Sequence, residues 1–459
     1  MTSKKAVRNN STIRRMFPLT LLALSLSQGV IAQRSSPVHL TLDQAIDLAL
    51  KQNHSIHLRS LSVDETRSKK DEARSNYLPQ IKASGSVLHV TELAGVEIPA
   101  GAFGSYPSTG SIPSKSLFID QGSATGYTGG VGLEQPLTQL FRVHQANVAA
   151  KQDVLIAETQ LDQTQDAIAL KVRQIYYNIL ISQQKLQAAQ EQLSAAKIKA
   201  DESRHDVQRG NALEVAILQG DASILQAQQQ LLTVKLQGED LRRQLADVLG
   251  MPVHTLFDLE STTTAQSLSI PTRDEAVHQA LEQNQELRAA RQTLEKAKAG
   301  LAAARDAYIP NVTALSRYSY QSGVPLLVHN FGTFGFALSY DLFDGGRREA
   351  QLREARTQVR SAEVAIDKLQ SEIEVQVQAA YDRVDELKQM VEVAGQAVKV
   401  RTEAARLSDR QFEQNAALNS SRTQVHADLS NATASLLEAD MSLSLAEANL
   451  KMTMGQMPR

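Results

Sequence analysis

The chain has 459 residues, of which 42% are hydrophobic, 4% aromatic and 21% charged, with no Cys, no Trp and a formal net charge of −2. This is ample length for more than one ordinary domain, and the near-neutral balance leaves no global basic field for nucleic acid. Without Cys there is no disulfide, no thiolate metal site and no lipid attached through an N-terminal Cys.

Residues 1–32 read as a signal peptide. Lys4, Lys5, Arg8, Arg14 and Arg15 precede a short apolar run from Leu19 to Leu26, and Val30-Ile31-Ala32 offers compact residues for cleavage. The run is too short for a spanning helix, and no later stretch reaches about 18 apolar residues. A membrane-embedded part would therefore have to be built of strands.

From Asp43 to Asn76 the apolar period is helical, with Thr41 or Asp43 as the cap, and Pro79 stops the pattern. The period then drops to two. Ile81, Ala83 and Val87 alternate with Lys82, Ser84 and Ser86; Tyr127, Gly129, Val131 and Leu133 alternate with Thr128, Gly130, Gly132 and Glu134. The strands so predicted, 78–90 and 124–137, are close to the ten or so residues that a tilted strand needs to cross a bilayer. One face is apolar and aromatic and the other small or polar, as a water-filled barrel requires. The Gly-, Pro- and Ser-rich stretch between them, Thr91 to Ser123, is expected to be a loop facing outside and is assigned no structure.

Next comes a Pro-free helical stretch, 142–208, about 100 Å long at the standard rise. It turns at Arg209-Gly210-Asn211, where Gly210 suits a left-handed helix end, and a helix over 213–249 returns. These elements make a first repeat, 33–250. A Thr- and Ser-rich linker, 251–272, leads to a second repeat, 273–459. Its helix ends at Pro310, strands are predicted at 310–320 and 333–342, and Gly345-Gly346 is a structural turn. Long helices at 347–414 and 418–454 meet at Asn415-Ala416-Ala417.

The two repeats align without gaps in two blocks. Asp43/Asp274, Asn53/Asn284, Tyr77/Tyr308 and Pro79/Pro310 share one offset; Leu137/Leu342, Arg142/Arg347, Tyr176/Tyr381 and Gly250/Gly455 share a second, smaller one. The first copy therefore carries extra residues between Ile81 and Pro136, where the long loop falls. On the second long helix, Ile373, Val377, Ala380, Val384 and Leu387 make one apolar stripe, and Val393, Ala397, Val400, Ala404 and Leu407 make an adjacent one. One stripe would suit a two-stranded coiled coil; two mean helices on both sides, as in a cylinder.

Four strands cannot close a barrel, and an open sheet in lipid leaves backbone groups unsatisfied at several kcal/mol each. Like subunits must complete the wall: two copies would supply eight strands and three would supply twelve. Two other classes are weaker. The ten His are scattered, with no metalloprotease, nucleophile-elbow or phosphate-loop motif. His54 and His57 lie on one helix without a convincing third ligand, so neither an enzyme, a metal nor a cofactor is expected. An exported coiled-coil scaffold or adhesin would have no use for the strand pairs.

The chain resembles the TolC family of outer-membrane efflux and secretion channels. The matching pieces are Leu40-Thr41-Leu42-Asp43-Gln44-Ala45-Ile46 leading to Asn53, the strand entries Tyr77-Leu78-Pro79 and Tyr308-Ile309-Pro310, and Leu342-Phe343-Asp344-Gly345-Gly346-Arg347. The resemblance implies a mainly α fold with membrane β-strands, duplicated within the chain. It further implies a homotrimer whose twelve-stranded barrel, four strands per chain, sits in outer-membrane lipid above a periplasmic helical tunnel. Such a duct is passive and docks on a periplasmic adaptor and an inner-membrane pump, in drug or metal efflux or type I secretion. The helix-turn tips Gly210, Asn211, Asn415 and Ala416 are then where an adaptor would touch.

The chain departs from the family pattern twice. His54 follows Asn53 where Pro is common, and Leu418 to Gln424 lacks the acid that rings the tunnel mouth in some members. Glu214, Asp221, Arg422 and Asp428 are the candidate mouth charges, since a charge repeated around a symmetric mouth would select ions by sign.

Overall fold

The computed structural model describes residues 38–457, apart from 93, 121, 261–268 and 324–326. The expected signal peptide and part of the inter-repeat linker lie outside the described residues.

The chain begins with β1 (Val38–Leu40), α1 (Leu42–Gln52) and α2 (His54–Ser75). The single helix expected from Asp43 to Asn76 is thus two. Asn53 has φ −65 and ψ 126; it ends α1 and its side chain caps α2 by accepting from the Ser55 and Ile56 amides. Asn is among the best N-caps because its short side chain satisfies the free amides of the first turn. At the other end of α1, Thr41 and Gln44 form a reciprocal capping box.

Four strands form the main sheet: β2 (Gln80–His89), β7 (Thr125–Pro136), β9 (Asn311–Ser322) and β10 (Asn330–Ser339). Between β2 and β7, the stretch assigned no structure forms a hairpin. Its stem pairs β3 (Gly95–Ile98) with β6 (Leu117–Asp120), and its tip pairs β4 (Ser105–Tyr106) with β5 (Gly110–Ser111). The sheet order is β10-β9-β7-β2, antiparallel throughout, so β2 and β10 are free edges of opposite direction.

Below the sheet run α3 (Leu140–Gln208) and α7 (Arg347–Glu413), of 69 and 67 residues. Their return helices are α4 (Val215–Val248) and α8 (Asn419–Thr453). Neighbour packing gives the order α4-α3-α8-α7, a curtain of alternating direction whose free edges are α4 and α7. The linker strand β8 (Phe257–Leu259) pairs in parallel with β1. Helices α5 (Arg273–Gln283) and α6 (Gln285–Asp306) repeat α1 and α2, and α6 lies between α3 and α7.

Two cores hold this together. The first gathers Ile46, Val172, Tyr176, Ile179, Leu245 and Leu249 with Phe257 and Leu259. The second gathers Leu287, Ile373, Val377, Val384, Leu450 and Met454. The first apolar stripe of α7 is therefore internal. The second faces away from the protomer, with Val393, Val400 and Leu407 all exposed.

Candidate conduit wall and tunnel mouth

Every second residue of the sheet points to one face, and the register places like with like. Ile81 lies opposite Leu133, Val87 opposite Tyr127, Val131 opposite Tyr318, and Leu338 opposite Val312. This face is bare: Phe334 is 91% exposed, and Phe336, Leu338, Ile81 and Val87 are also exposed. Water would not tolerate so large a contiguous aromatic and aliphatic surface, whereas lipid requires one.

The opposite face is polar. Lys82 Nζ lies 3.4 Å from Glu134 Oε2, Ser86 Oγ 2.7 Å from Thr128 Oγ1, and Arg317 Nη2 donates to Ser84 Oγ at 3.0 Å. Arg317 spans two strands to do so, passing over Gly132. A side chain at Gly130 would meet the Tyr318 carbonyl at 2.6 Å, so the small residues of β7 keep this surface low.

The junction from sheet to helices is built from residues at repeat-equivalent places. Pro79 and Pro310 follow the ends of α2 and α6, where the chain turns into β2 and β9. Gly345 and Gly346 have φ of 69 and 83, which frees Asp344 to cap α7. Asp344 accepts from the Gly346 and Arg348 amides at 3.1 and 3.2 Å and from Arg348 Nε at 2.8 Å. The Arg348 guanidinium in turn lies over the Tyr340 ring at 4.8 Å.

At the far end, both hairpin turns use one device. Gly210 has φ 80; its amide donates to the Val207 carbonyl at 3.0 Å, and the Asn211 amide to Asp206 at 2.8 Å. Asn415 has φ 55; its amide donates to Phe412 at 3.0 Å, and that of Ala416 to Gln411 at 2.8 Å. These are paired 5→2 and 6→1 closures around a left-handed residue.

Three of the four candidate mouth charges are engaged within the protomer. Asp221 on α4 accepts from Arg204 on α3 at 2.5 Å. Asp428 on α8 meets Arg401 on α7 at 3.2 Å and Gln424 at 2.9 Å. Arg422 binds Asp409 at 2.7 Å with its guanidinium 5.1 Å from the Phe412 ring centre. Glu214 is exposed at the N-terminus of α4, where the helix dipole favours a carboxylate.

Sequence reasoning missed Asp409, which joins α7 to α8 by accepting from both His426, at 2.9 Å, and Arg422. The His426 hydrogen bond first, and Arg422 second, hold its carboxyl below the usual range. It also missed Glu202, whose Oε1 accepts from the Ser420 amide at 2.9 Å and thereby ties α3 to the start of α8. Neither has a local motif, since each acts across helices. Among the described residues no group of three or more His, Asp or Glu could hold a metal ion, and no helix is long and apolar enough to cross a membrane.

A sheet with one lipid-fit face and one polar face, continued by a curtain of helices about 100 Å long, defines a wall segment of a membrane-anchored duct. The outer membrane efflux protein family model matches residues 45–251 and 276–456, and the chain belongs to that family. It is an outer-membrane efflux channel protein with a large periplasmic helical part, from a family of channels rather than of enzymes. Among solved structures, CusC aligns over 90% of this chain and 92% of its own, with a TM-score of 0.72 at 17% identity. The CmeC outer membrane channel of Campylobacter jejuni covers 90% and 85% (TM-score 0.71, 15% identity). The open-state MtrE outer membrane channel of Neisseria gonorrhoeae covers 90% and 88% (0.68, 18%). At these identities the likeness is one of fold. No curated protein sequence matches the chain.

Proposed function

We propose that three copies of this chain form a passive export duct, a twelve-stranded barrel above a helical tunnel, that docks on a periplasmic adaptor and an inner-membrane pump. The observation that carries this reading is the pair of unpaired edges. Edge strands β2 and β10 run in opposite directions, as do edge helices α4 and α7, so a head-to-tail ring closes sheet and curtain together. Leaving either sheet edge in lipid would cost several kcal/mol per unpaired group.

In this reading residues 1–32 direct export, 33–250 and 273–459 are the two wall repeats, and 251–272 is their linker. The tips at Gly210, Asn211, Asn415 and Ala416 meet the adaptor. Glu214, Asp221, Arg422 and Asp428 line the mouth, with the net sign set by which of their ion pairs persist there.

Planar-bilayer reconstitution tests the duct. Steady water-filled conductance is expected, rising when the Asp409 contacts are removed by Asp409→Ala. A purified oligomer that never conducts, with or without that substitution, would sink the proposal.

A further inference from the structure

The polar face of the sheet carries its charge unevenly. Lys82, Glu134 and Arg317 are the only Lys, Arg, Asp or Glu residues in the four strands, and all stand on that face. The register sets Lys82, Gly132, Arg317 and Thr333 in one row across the sheet. Two cations therefore share a level, and the carboxylate beside them goes to one of the two: Lys82 Nζ lies 3.4 Å from Glu134 Oε2. Arg317 is left with neutral acceptors. Its Nε donates to Ser319 Oγ at 3.1 Å and its Nη2 to Ser84 Oγ at 3.0 Å, and among the described residues it forms no ion pair.

A guanidinium has five N–H donors and keeps its charge at any working pH. The two serine hydroxyls lay this one along the wall over Gly132, and the donors on Nη1 are left for whatever passes. A second step lies just below. Arg142 also has a neutral acceptor, donating from Nη2 to Asn311 Oδ1 at 2.6 Å, and Asn311 stands on the same face as Arg317. Arg142 and Asn311 help to line a polar cavity of about 260 Å³ where the sheet meets the helices. This cationic excess runs against the chain as a whole, whose formal net charge is −2. It is a local property of the strands and their base.

We propose that the barrel selects its cargo by charge and that Arg317 sets the sign, so that solutes bearing a carboxylate or phosphate pass in preference to cations. The inference rests on the ring of copies argued above, which repeats the guanidinium once per copy around one channel. Like charges facing one another across a channel with low-dielectric walls add their potentials and concentrate counter-ions between them. The serine contacts hold the guanidinium in one orientation, so its free N–H groups meet an oxyanion without first having to be ordered. Arg142 extends the same field to the base of the barrel.

Reversal potentials in planar bilayers across a KCl gradient test this, with the full oligomer opened by Asp409→Ala as the parent. The tunnel mouth is common to every variant, so its own preference cancels in the comparison. The chloride-to-potassium permeability ratio should fall at least about threefold in Arg317→Gln and further in Arg317→Glu. It should stay near the parent value in Arg317→Lys, which keeps the charge. Glu134→Gln frees Lys82 from its partner and should move the ratio the other way. The shifts should shrink in concentrated salt, because screening lengths fall from about 10 Å at 0.1 M to about 3 Å at 1 M. With gluconate in place of chloride, the carboxylate should lose permeability in Arg317→Gln at least as strongly as chloride does. Mass photometry of each variant reads assembly. Ratios unchanged in both Arg317→Gln and Glu134→Gln, or an equal fall in Arg317→Lys and Arg317→Gln, overturn charge selection and leave the duct standing. A parent that never conducts, or a monomer in lipid, removes the duct and this inference with it.

Discussion

Tyr176 offers the sharpest check on the energetics of the periplasmic core. Its ring is fully buried, and its hydroxyl lies 3.0 Å from the Leu40 carbonyl and 2.9 Å from that of Glu260. It therefore fastens the parallel pair β1–β8 to α3. Tyr176→Phe keeps the ring's burial and removes only the donor. The Leu40 carbonyl retains the Glu260 amide at 3.2 Å, so one carbonyl, that of Glu260, loses its partner. Glu260 is itself exposed, so water can partly replace that bond, and losing both bonds of a buried hydroxyl is expected to cost about 1–2 kcal/mol. Local opening then becomes roughly 5–30 times more frequent. Hydrogen exchange at the Val38 and Glu260 amides, which bridge β1 and β8, reads this directly. The repeat-equivalent Tyr381→Phe is the control: its ring is half-buried and its hydroxyl donates to the Pro271 carbonyl at 3.1 Å, so about 0.5 kcal/mol and a roughly twofold change are expected. Equal effects in the two variants, or unchanged exchange at Val38 and Glu260 in Tyr176→Phe, would refute the assignment. Burial first, and the Glu260 charge second, push the Tyr176 hydroxyl up to about 12. Its folded value is raised, so its stabilisation is complete below the ordinary tyrosine value of about 10 and is lost as pH rises towards 12. In an alkaline absorbance titration, wild type and Tyr176→Phe should differ only at the top of the curve.

Two further outcomes are expected. The Asp409 carboxyl is depressed by His426 and Arg422, so its contribution is present above about pH 4 and lost as pH falls through its lower folded value; limited proteolysis at the α7–α8 tip should accelerate there, and Asp409→Asn should flatten that dependence. Gly210 and Gly455 both have positive φ, but a Cβ at Gly210 meets open space while one at Gly455 would lie 2.3 Å from the Gln283 carbonyl. Gly210→Ala should cost about 1 kcal/mol and Gly455→Ala about 3 kcal/mol or more, read as the difference in thermal inactivation in detergent; equal losses would contradict this account.

The periodic and punctuated parts of the fold were legible in the sequence. Alternation at Tyr127, Val131 and Leu133 and at Phe334, Phe336 and Leu338 marks strands because side chains there face lipid and water in turn. Pro79 and Pro310 mark helix ends because the residue before Pro avoids the helical region. The break at Asn53 was hidden by an apolar period that runs on through Leu50 and Ile56. Its signal was there nonetheless: an Asn at the equivalent place in each repeat, each capping a new helix and reaching the carbonyl of Val248 or Thr453. The hairpin between β2 and β7 escaped because Val96 to Ile98 and Leu117 to Ile119 are too short to announce strands alone. The pairing of β1 with β8 links the start of the first repeat to the linker that follows it and leaves no local trace. The candidate mouth charges were visible but their pairing was not, since Arg204–Asp221 and Arg422–Asp409 form only once long helices fold back on one another.

The seam inside the chain and the edges that the proposed ring would close differ in how each is made. Within a chain the repeats are covalently joined, so their contacts form at a high effective concentration. Polar contacts such as Arg288–Asp162 and Glu202–Ser420 then suffice to set the angle and register, although an exposed ion pair contributes only about 0–1 kcal/mol. Between copies no tether helps, and association must repay lost translational and rotational freedom. Apolar area supplies that driving force at about 25 cal/mol per Å². It resides on the outer faces of α4 and α7, where Leu218, Leu225 and Leu232 recur one heptad apart and so do Val393, Val400 and Leu407, all exposed in the isolated chain. A duplicated unit with identical seams would have no preference between bonding its own second half and bonding a stranger. Surfaces of different make-up, with Arg288–Asp162 and Glu202–Ser420 added to the seam inside the chain and exposed leucine and valine heptads at its edges, let each surface prefer one partner, which is the condition for the proposed closed ring of few copies rather than an open filament.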